Sequence, residues 1–336
     1  MSAVFERAAS VLDEMHDIVL VTVVGGAGSA PRKAGSCMIV NAEGRLTGTI
    51  GGGSIEFQSE KKARELIGRK ASFLYPFVLN ENATDGLGMM CGGTADVWFQ
   101  YVPAADGTWR EIMQKAAQAI AGNQGGWLIL SLSEASPCLV SSKKELLAGE
   151  MPADIDALCA STCVRTDEFF SMPLAKKERA IVFGGGHISQ ALVPILASVD
   201  FYPVVFDNRP EYADPALFPC AGRTILGDYL AITDSLELEP DDFAVIVTQG
   251  HTFDYEVQEQ LLHHDLAYIG AIGSARKTRV VRERLREAGI SEEKITAVHM
   301  PVGTQIGAVT PAEIAISIAG EMIAARAEQR VASTGK

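Results

Sequence analysis

Positive charge is in short supply. The chain carries 29 Lys and Arg against 42 Asp and Glu, a net charge of −13. That balance excludes nucleic acid as a partner and leaves no polybasic surface for a membrane. Paired cysteines are missing as well. Six cysteines, at 37, 91, 138, 159, 163 and 220, are scattered over 336 residues, which reads as reduced thiols in a cytoplasmic protein. Cys159 and Cys163 have CxxxC spacing and no second pair, so no structural zinc site is expected. No long apolar run is free of breakers. Residues 180–199 carry no charge but include three glycines, His187, Gln190 and Pro194, which suits a strand–turn–helix and not a membrane span. The first residues contain acids and no apolar stretch, so no signal peptide is expected. No internal repeat or low-complexity segment is evident.

What is present points to an α/β protein of two domains. A length of 336 residues is ordinary for two, and 47% hydrophobic residues is enough for two cores. The organising stretch is residues 180–207. An apolar strand, 180–183, meets Gly184, Gly185 and Gly186; a helix-compatible segment follows; a second strand, 203–206, ends at Asp207. This is the first half of a dinucleotide-binding unit, a Rossmann-like doubly wound domain. Gly184 permits the sharp turn. Gly186 lets backbone amides approach a pyrophosphate, and the helix start at His187 offers unpaired N–H groups. Asp207 stands at the spacing of a ribose-binding carboxylate, and Ser189 is small enough for close helix–strand packing. Arg209 is placed to reach a phosphate beside that ribose, so NAD and NADP both remain open. The alternative is a doubly wound domain whose crevice is empty or reused.

The first domain, residues 1–150, is expected to be mixed α/β. An amphipathic first helix precedes a buried strand at 18–24. Arg32 and Lys33 follow in a glycine-rich loop, which suits an anionic ligand or two solvated charges. Residues 36–40 and 45–50 read as a hairpin around Asn41 and Gly44. Gly51, Gly52 and Gly53 then precede a helix expected to begin near Ser54 as N-cap, with Glu56 in its first turn and an end before Gly68. This is a second candidate phosphate cradle, or a tight turn that needs glycine for positive φ. Cys91, with Gly92 and Gly93, stands in a glycine loop before a strand. As a thiolate it suits a metal–sulfur centre or nucleophilic chemistry; as a thiol it is a small hydrophobe.

Residues 151–178 lose periodicity and are expected to be a linker, with the Rossmann-like domain at 179–330. A third buried strand, 243–247, ends beside His251 and Asp254, which makes both site candidates. Ser274 is expected to cap a helix running to about Ala288. Arg276 and Lys277 in its first turn oppose the helix dipole, which suggests either an anion nearby or a solvated face. Thr310 and Glu313 form a capping box with Pro311 at the first helical position. The helix after it is apolar on so much of its surface that burial is expected.

Taken together, GSAPRKAGSCMIV, GTIGGGSIE, GMMCGG, GGGHIS, DNRPE, YIGAIGSARK and PVGTQIGAVTPAEIAISIAGEM resemble the XdhC/CoxI family, in the family's order from about residue 18 to 326. The resemblance implies an accessory protein that binds molybdenum cofactor (molybdopterin), supports its sulfuration and inserts it into an apo molybdenum hydroxylase such as xanthine dehydrogenase. A cysteine desulfurase and a homodimer are implied with it. The family's arginine loop falls on Arg32, its glycine loop on Gly51, Gly52 and Gly53 with Glu56, its CGG element on Cys91, Gly92 and Gly93, and its glycine–histidine turn on Gly186 and His187. Cys91 is then the expected contact to molybdenum or to sulfur in transfer. The sequence departs from the family at Met90, Gln249, Thr304 and Gln305. The other reading is an NAD(P)-dependent oxidoreductase built on the Rossmann-like domain.

Overall fold

The computed structural model describes residues 2–28, 34–79, 93–133, 135–249 and 253–334. The chain divides into two compact units, Met1–Lys176 and Lys177–Lys336.

The first unit begins with α1 (Ser2–Asp13), β1 (Ile18–Gly28), β2 (Cys37–Val40), β3 (Arg45–Gly48), α2 (Gly53–Arg69), β4 (Phe73–Leu79) and β5 (Gly93–Val102). It continues with α3 (Gly107–Ala121), β6 (Gly126–Ser131), β7 (Cys138–Ser141), β8 (Leu146–Gly149), α4 (Ile155–Leu158), β9 (Val164–Arg165) and β10 (Phe169–Leu174). These are two copies of one motif, helix–three strands–helix–two strands. The antiparallel sheets have matching orders, β3-β2-β1-β5-β4 and β8-β7-β6-β10-β9. The copies agree in detail. α1 and α3 each end at a left-handed residue, Met15 and Asn123, and in each the next amide reaches back five residues, His16 to Val11 and Gln124 to Ala119. That is the Schellman closure, which satisfies the last helical carbonyls. Gly48 and Gly149 both take positive φ at matching ends of the hairpins, where a Cβ would strike the partner strand's backbone. The expectation of no repeat is therefore corrected. The duplication is invisible in sequence because the backbone is kept while residue types change, as from Met15 to Asn123.

The linker expectation is corrected too. Residues 151–176 carry α4, β9 and β10, and β10 pairs along its length with β6. Phe170, Ser171 and Met172 are all buried. A strand covered on both faces shows no alternation, and Ser171 and Pro173 disguised it further. One core joins α1 and α3 to one face of each sheet, through Phe5, Leu12, Trp109, Met113, Leu130 and Phe170. The other face of the first sheet holds Val19, Val21 and Phe99 against Ile55 and Ala63 of α2.

The second unit contains β11 (Arg179–Phe183), α5 (His187–Ser198), β12 (Tyr202–Asp207), β13 (Arg223–Leu226), β14 (Phe243–Ile246), α6 (Asp254–Leu261), β15 (Tyr268–Ala271), α7 (Ala275–Glu287), α8 (Glu292–Ala297) and α9 (Pro311–Thr334). Its sheet is all parallel in the order β13-β12-β11-β14-β15, so it is a doubly wound Rossmann arrangement. The residues of β11 alternate. Ala180 and Val182 face α5 and α9, while Ile181 and Phe183 face α6, α7 and α8. Ser274 caps α7, and Thr310 and Glu313 close the capping box of α9, both as read from sequence. Among the described residues no helix is long and apolar enough to cross a membrane.

Candidate functional site

In the first unit, topology gathers the candidates at one end of one sheet. β1 and β3 run towards that end; β2 and β5 start from it. Gly28, the last residue of β1, is the register partner of Gly93, the first of β5. Arg32 is four residues past Gly28, and Cys91 and Gly92 directly precede Gly93. All three lie outside the described residues, but the strands that carry them are neighbours. Gly51, Gly52 and Gly53 follow β3 at the same end.

The glycine turn is built differently from the sequence expectation. α2 begins at Gly53, with Gly52 as N-cap and no side-chain cap, and it runs to Arg69, so Ser54 does not cap it and Gly68 does not end it. Gly51, Gly52 and Gly53 have φ of 137, 76 and 61°, a shape that L side chains resist. It turns the Ile50 and Gly52 amides inward, where Glu56 Oε2 accepts both, at 3.2 and 3.1 Å. The Thr49 hydroxyl donates to the same oxygen at 2.5 Å, and Arg45 pairs with Oε1. Glu56 therefore fills the hollow that the sequence assigned to a ligand anion. Space remains over the turn itself, since a Cβ on Gly52 would meet nothing within 4 Å.

Beside this turn, between the two repeats, lies a cavity of about 400 Å³. Gly35, Ser36, Cys37 and Thr49 line it from the first repeat, and Cys163 and Met172 from the second. Burial pushes the Cys37 thiol up to about 11. Burial also raises Cys163, whose Sγ donates to the Ala34 carbonyl at 3.4 Å. Both rest as thiols at neutral pH. Among the described residues no three His, Cys, Asp or Glu side chains are grouped to hold a metal.

In the second unit the candidates lie at the carboxyl ends of the strands. Gly184 has φ of 114° and backs onto the Val247 carbonyl; Gly185 backs onto that of Tyr212. Gly186 faces open space and is the N-cap of α5 without a side-chain cap. His187 is exposed in the first turn. Ser189 is buried and donates to the Gly184 carbonyl, so it locks the turn to its helix. Asp207, expected to face a ribose, is fully buried. Its Oδ2 accepts from the Gly185 amide at 2.7 Å and from Arg209 Nη2 at 2.8 Å. Its Oδ1 accepts from the amide and Nε of Arg209 at 3.0 and 2.9 Å. Burial pushes this carboxyl up, but the Arg209 side chain and the two amides outweigh it and hold it below the usual carboxylate range. Arg209 lies over the Tyr212 ring at 3.8 Å and donates to Gln249.

A second constellation adjoins the first. Asp254, fully buried, accepts from the Thr248 hydroxyl and pairs with Lys277, which also donates to the Ile272 carbonyl at 3.1 Å. Burial pulls the Lys277 ammonium down to about 8. The anion expected beside the start of α7 is thus the protein's own. His251 lies outside the described residues.

The profile of the XdhC Rossmann domain matches residues 180–322, and that of the XdhC and CoxI family matches residues 11–77. The chain belongs to the XdhC and CoxI family. It is 27% identical to a probable xanthine dehydrogenase subunit of Bacillus subtilis, over 94% of this chain and 96% of that one. It is 23% identical to the molybdenum cofactor insertion chaperone PaoD of Escherichia coli, over 93% and 84%. Identity to the E. coli protein YqeB is 25% over 95% of this chain, which spans about half, 46%, of that longer relative. The crystal structure of a xanthine dehydrogenase from Bacillus halodurans matches 96% of both chains with a TM-score of 0.74 and 25% identity.

In this member of the XdhC and CoxI family, sequence reasoning missed Arg45, Thr49 and Cys163 in the first unit. In the second it missed the pairings of Arg209 with Asp207 and Lys277 with Asp254. No local signal marks Cys163, because its place in the cavity depends on the duplicated fold. Arg45 and Glu56 carried a signal, opposite charges flanking a glycine turn.

Proposed function

We propose that this protein is an accessory factor of a xanthine dehydrogenase-type molybdenum hydroxylase. It binds molybdenum cofactor as cargo, holds it open to a cysteine desulfurase for sulfuration, inserts it into the apo hydroxylase, and works as a homodimer. The family and the names of PaoD and the B. subtilis relative support this role. The observation that carries it is the common sheet end from which the Arg32, triple-glycine and Cys91 stretches arise, with the cavity beside it. The cargo joins a planar pterin to a phosphate and a thiophilic metal. The cavity suits the pterin. Arg32 and the uncapped start of α2 suit the phosphate. A Cys91 thiolate suits the thiophilic metal.

In the second unit the open amides at Gly186 and His187 are a further place for a phosphate. Asp207 and Arg209 position that turn from behind. Loading the protein with cofactor and comparing it with Cys91→Ala tests the reading. The variant should keep releasable pterin but lose hydroxylase activation at least ~10-fold, as expected when a metal-contacting group is removed. Unchanged activation takes Cys91 out of the site, and a wild-type protein that retains no pterin defeats the reading as a whole.

A nicotinamide dinucleotide does not fit as well. Its ribose needs the carboxylate after the second strand, and every oxygen of Asp207 already accepts from the protein. Calorimetry with NADH and NADPH is expected to show no binding up to ~1 mM, equivalent to no more than about −4 kcal/mol. A micromolar dissociation constant that Asp207→Asn abolishes would restore the oxidoreductase reading.

A further inference from the structure

Helix α9 is apolar over more of its circumference than its own unit uses. Ala315, Ile318, Ala319 and Met322 are buried in the core it shares with α5 and the sheet. On the opposite arc Ile316, Ile323 and Val331 are 56%, 39% and 71% exposed. Ala312, Gly320, Ala324 and Ala327 are exposed among them. Between Glu313 and Glu328 no exposed residue of the helix is charged. A solvent-facing helix surface normally carries charged and polar side chains, and a continuous apolar arc marks a contact. The burial expected of this helix from sequence is met on one face only.

We propose that this arc is the homodimer surface, with α9 of two copies packed antiparallel across a two-fold axis at the level of Glu321 and Met322. Size selects that register. It sets Gly320 opposite Ile323 of the second copy, Ile316 opposite Ala327, and Ala312 opposite Val331, a large residue against a small one each time. A parallel pairing sets isoleucine on isoleucine and glycine on glycine, which alternates clash and void. Charge agrees. Glu313 near the start of the helix comes to the end of the other copy that bears both Glu328 and Arg330, the latter paired with its own Glu178, so the charge gain is the antiparallel dipoles. A self-complementary patch of this kind closes at two copies. The helix has 24 residues, so the seam runs ~36 Å. Ile306 and Val309, exposed in the loop before it, extend the surface towards the ~1,200 Å² a specific dimer buries.

The inference names the surface for the dimer in the proposed function and does not use the cofactor part of that reading. Sedimentation and light scattering of the full chain are expected to give a dimer at ~10 µM. Ile323→Glu and Ala327→Glu should each raise the dissociation constant at least ~100-fold, with an unchanged circular-dichroism spectrum and the same pterin content. Ile316→Cys combined with Ala327→Cys should form a covalent dimer on oxidation, above the level of the native chain, and Ile316→Cys alone should not. A monomeric native chain, two glutamate variants that stay dimeric, or cross-linking by Ile316→Cys alone overturns the proposal. If the native protein holds no pterin but dimerises through α9, the cofactor reading fails and this one stands.

Discussion

Asp207→Ala is expected to destabilise the C-terminal unit by about 3–5 kcal/mol, the range for removing one partner of a buried ion pair. For a unit of this size that lowers the melting midpoint by roughly 10 °C. The cause lies in what is left behind. The Gly185 amide loses its acceptor, and Arg209 keeps its charge without the carboxylate that neutralises it. The glycine turn is then held only from the Ser189 side. Calorimetric melting checks this, and a variant melting within ~2 °C of the native protein would show the pair to be dispensable. The pH dependence has a definite sign. The folded carboxyl lies below its ordinary value, so the unfolded chain binds its proton first as pH falls. The stabilisation is complete above ~4 and is lost as pH drops through the folded value. Asp207→Asn, which keeps the shape, should start less stable at neutral pH and lose less between pH 5 and 2.

Glu56→Ala is expected to have the second largest effect, about 3 kcal/mol on the N-terminal unit, since the oxygens it removes serve a hydroxyl, two amides and a guanidinium in charge-assisted bonds. It should also reduce cofactor retention at least ~10-fold, because the carboxylate holds the Ile50 and Gly52 amides that fix the run of three glycines at positive φ. Glu56→Gln retains an acceptor for those amides and should fall between. The decisive comparison is pterin content against melting temperature. Glu56→Ala protein that is less stable but fully loaded would place the glycine turn outside the binding site.

The same physics recurs in both units. Each has a glycine turn that leaves amides pointing inward, and each supplies its own carboxylate to them, Glu56 in one and Asp207 in the other. Sequence spacing identified both turns and both acids, since each is local. It could not tell an acid that waits for a ligand from one already satisfied, because that depends on Arg45 and Arg209 folding back onto them. The anion inferred beside Lys277 had the same fate. The inference of negative charge was right in kind, and the charge belongs to Asp254, on the neighbouring helix.

Local order decided much of this protein in advance. The alternation in β11, the glycines before α5, the capping box of α9 and the buried run of β1 each follow from residues within one turn or strand of each other, where backbone preference and side-chain period act directly. Tertiary structure alone decided the duplication of the first unit, the strand character of residues 169–174, and the meeting of Cys163 with Thr49 around one cavity. It also decided which face of α9 stays uncovered. Those outcomes depend on pairing across long separations, where burial is conserved through volume and shape, and unlike residues satisfy both equally well.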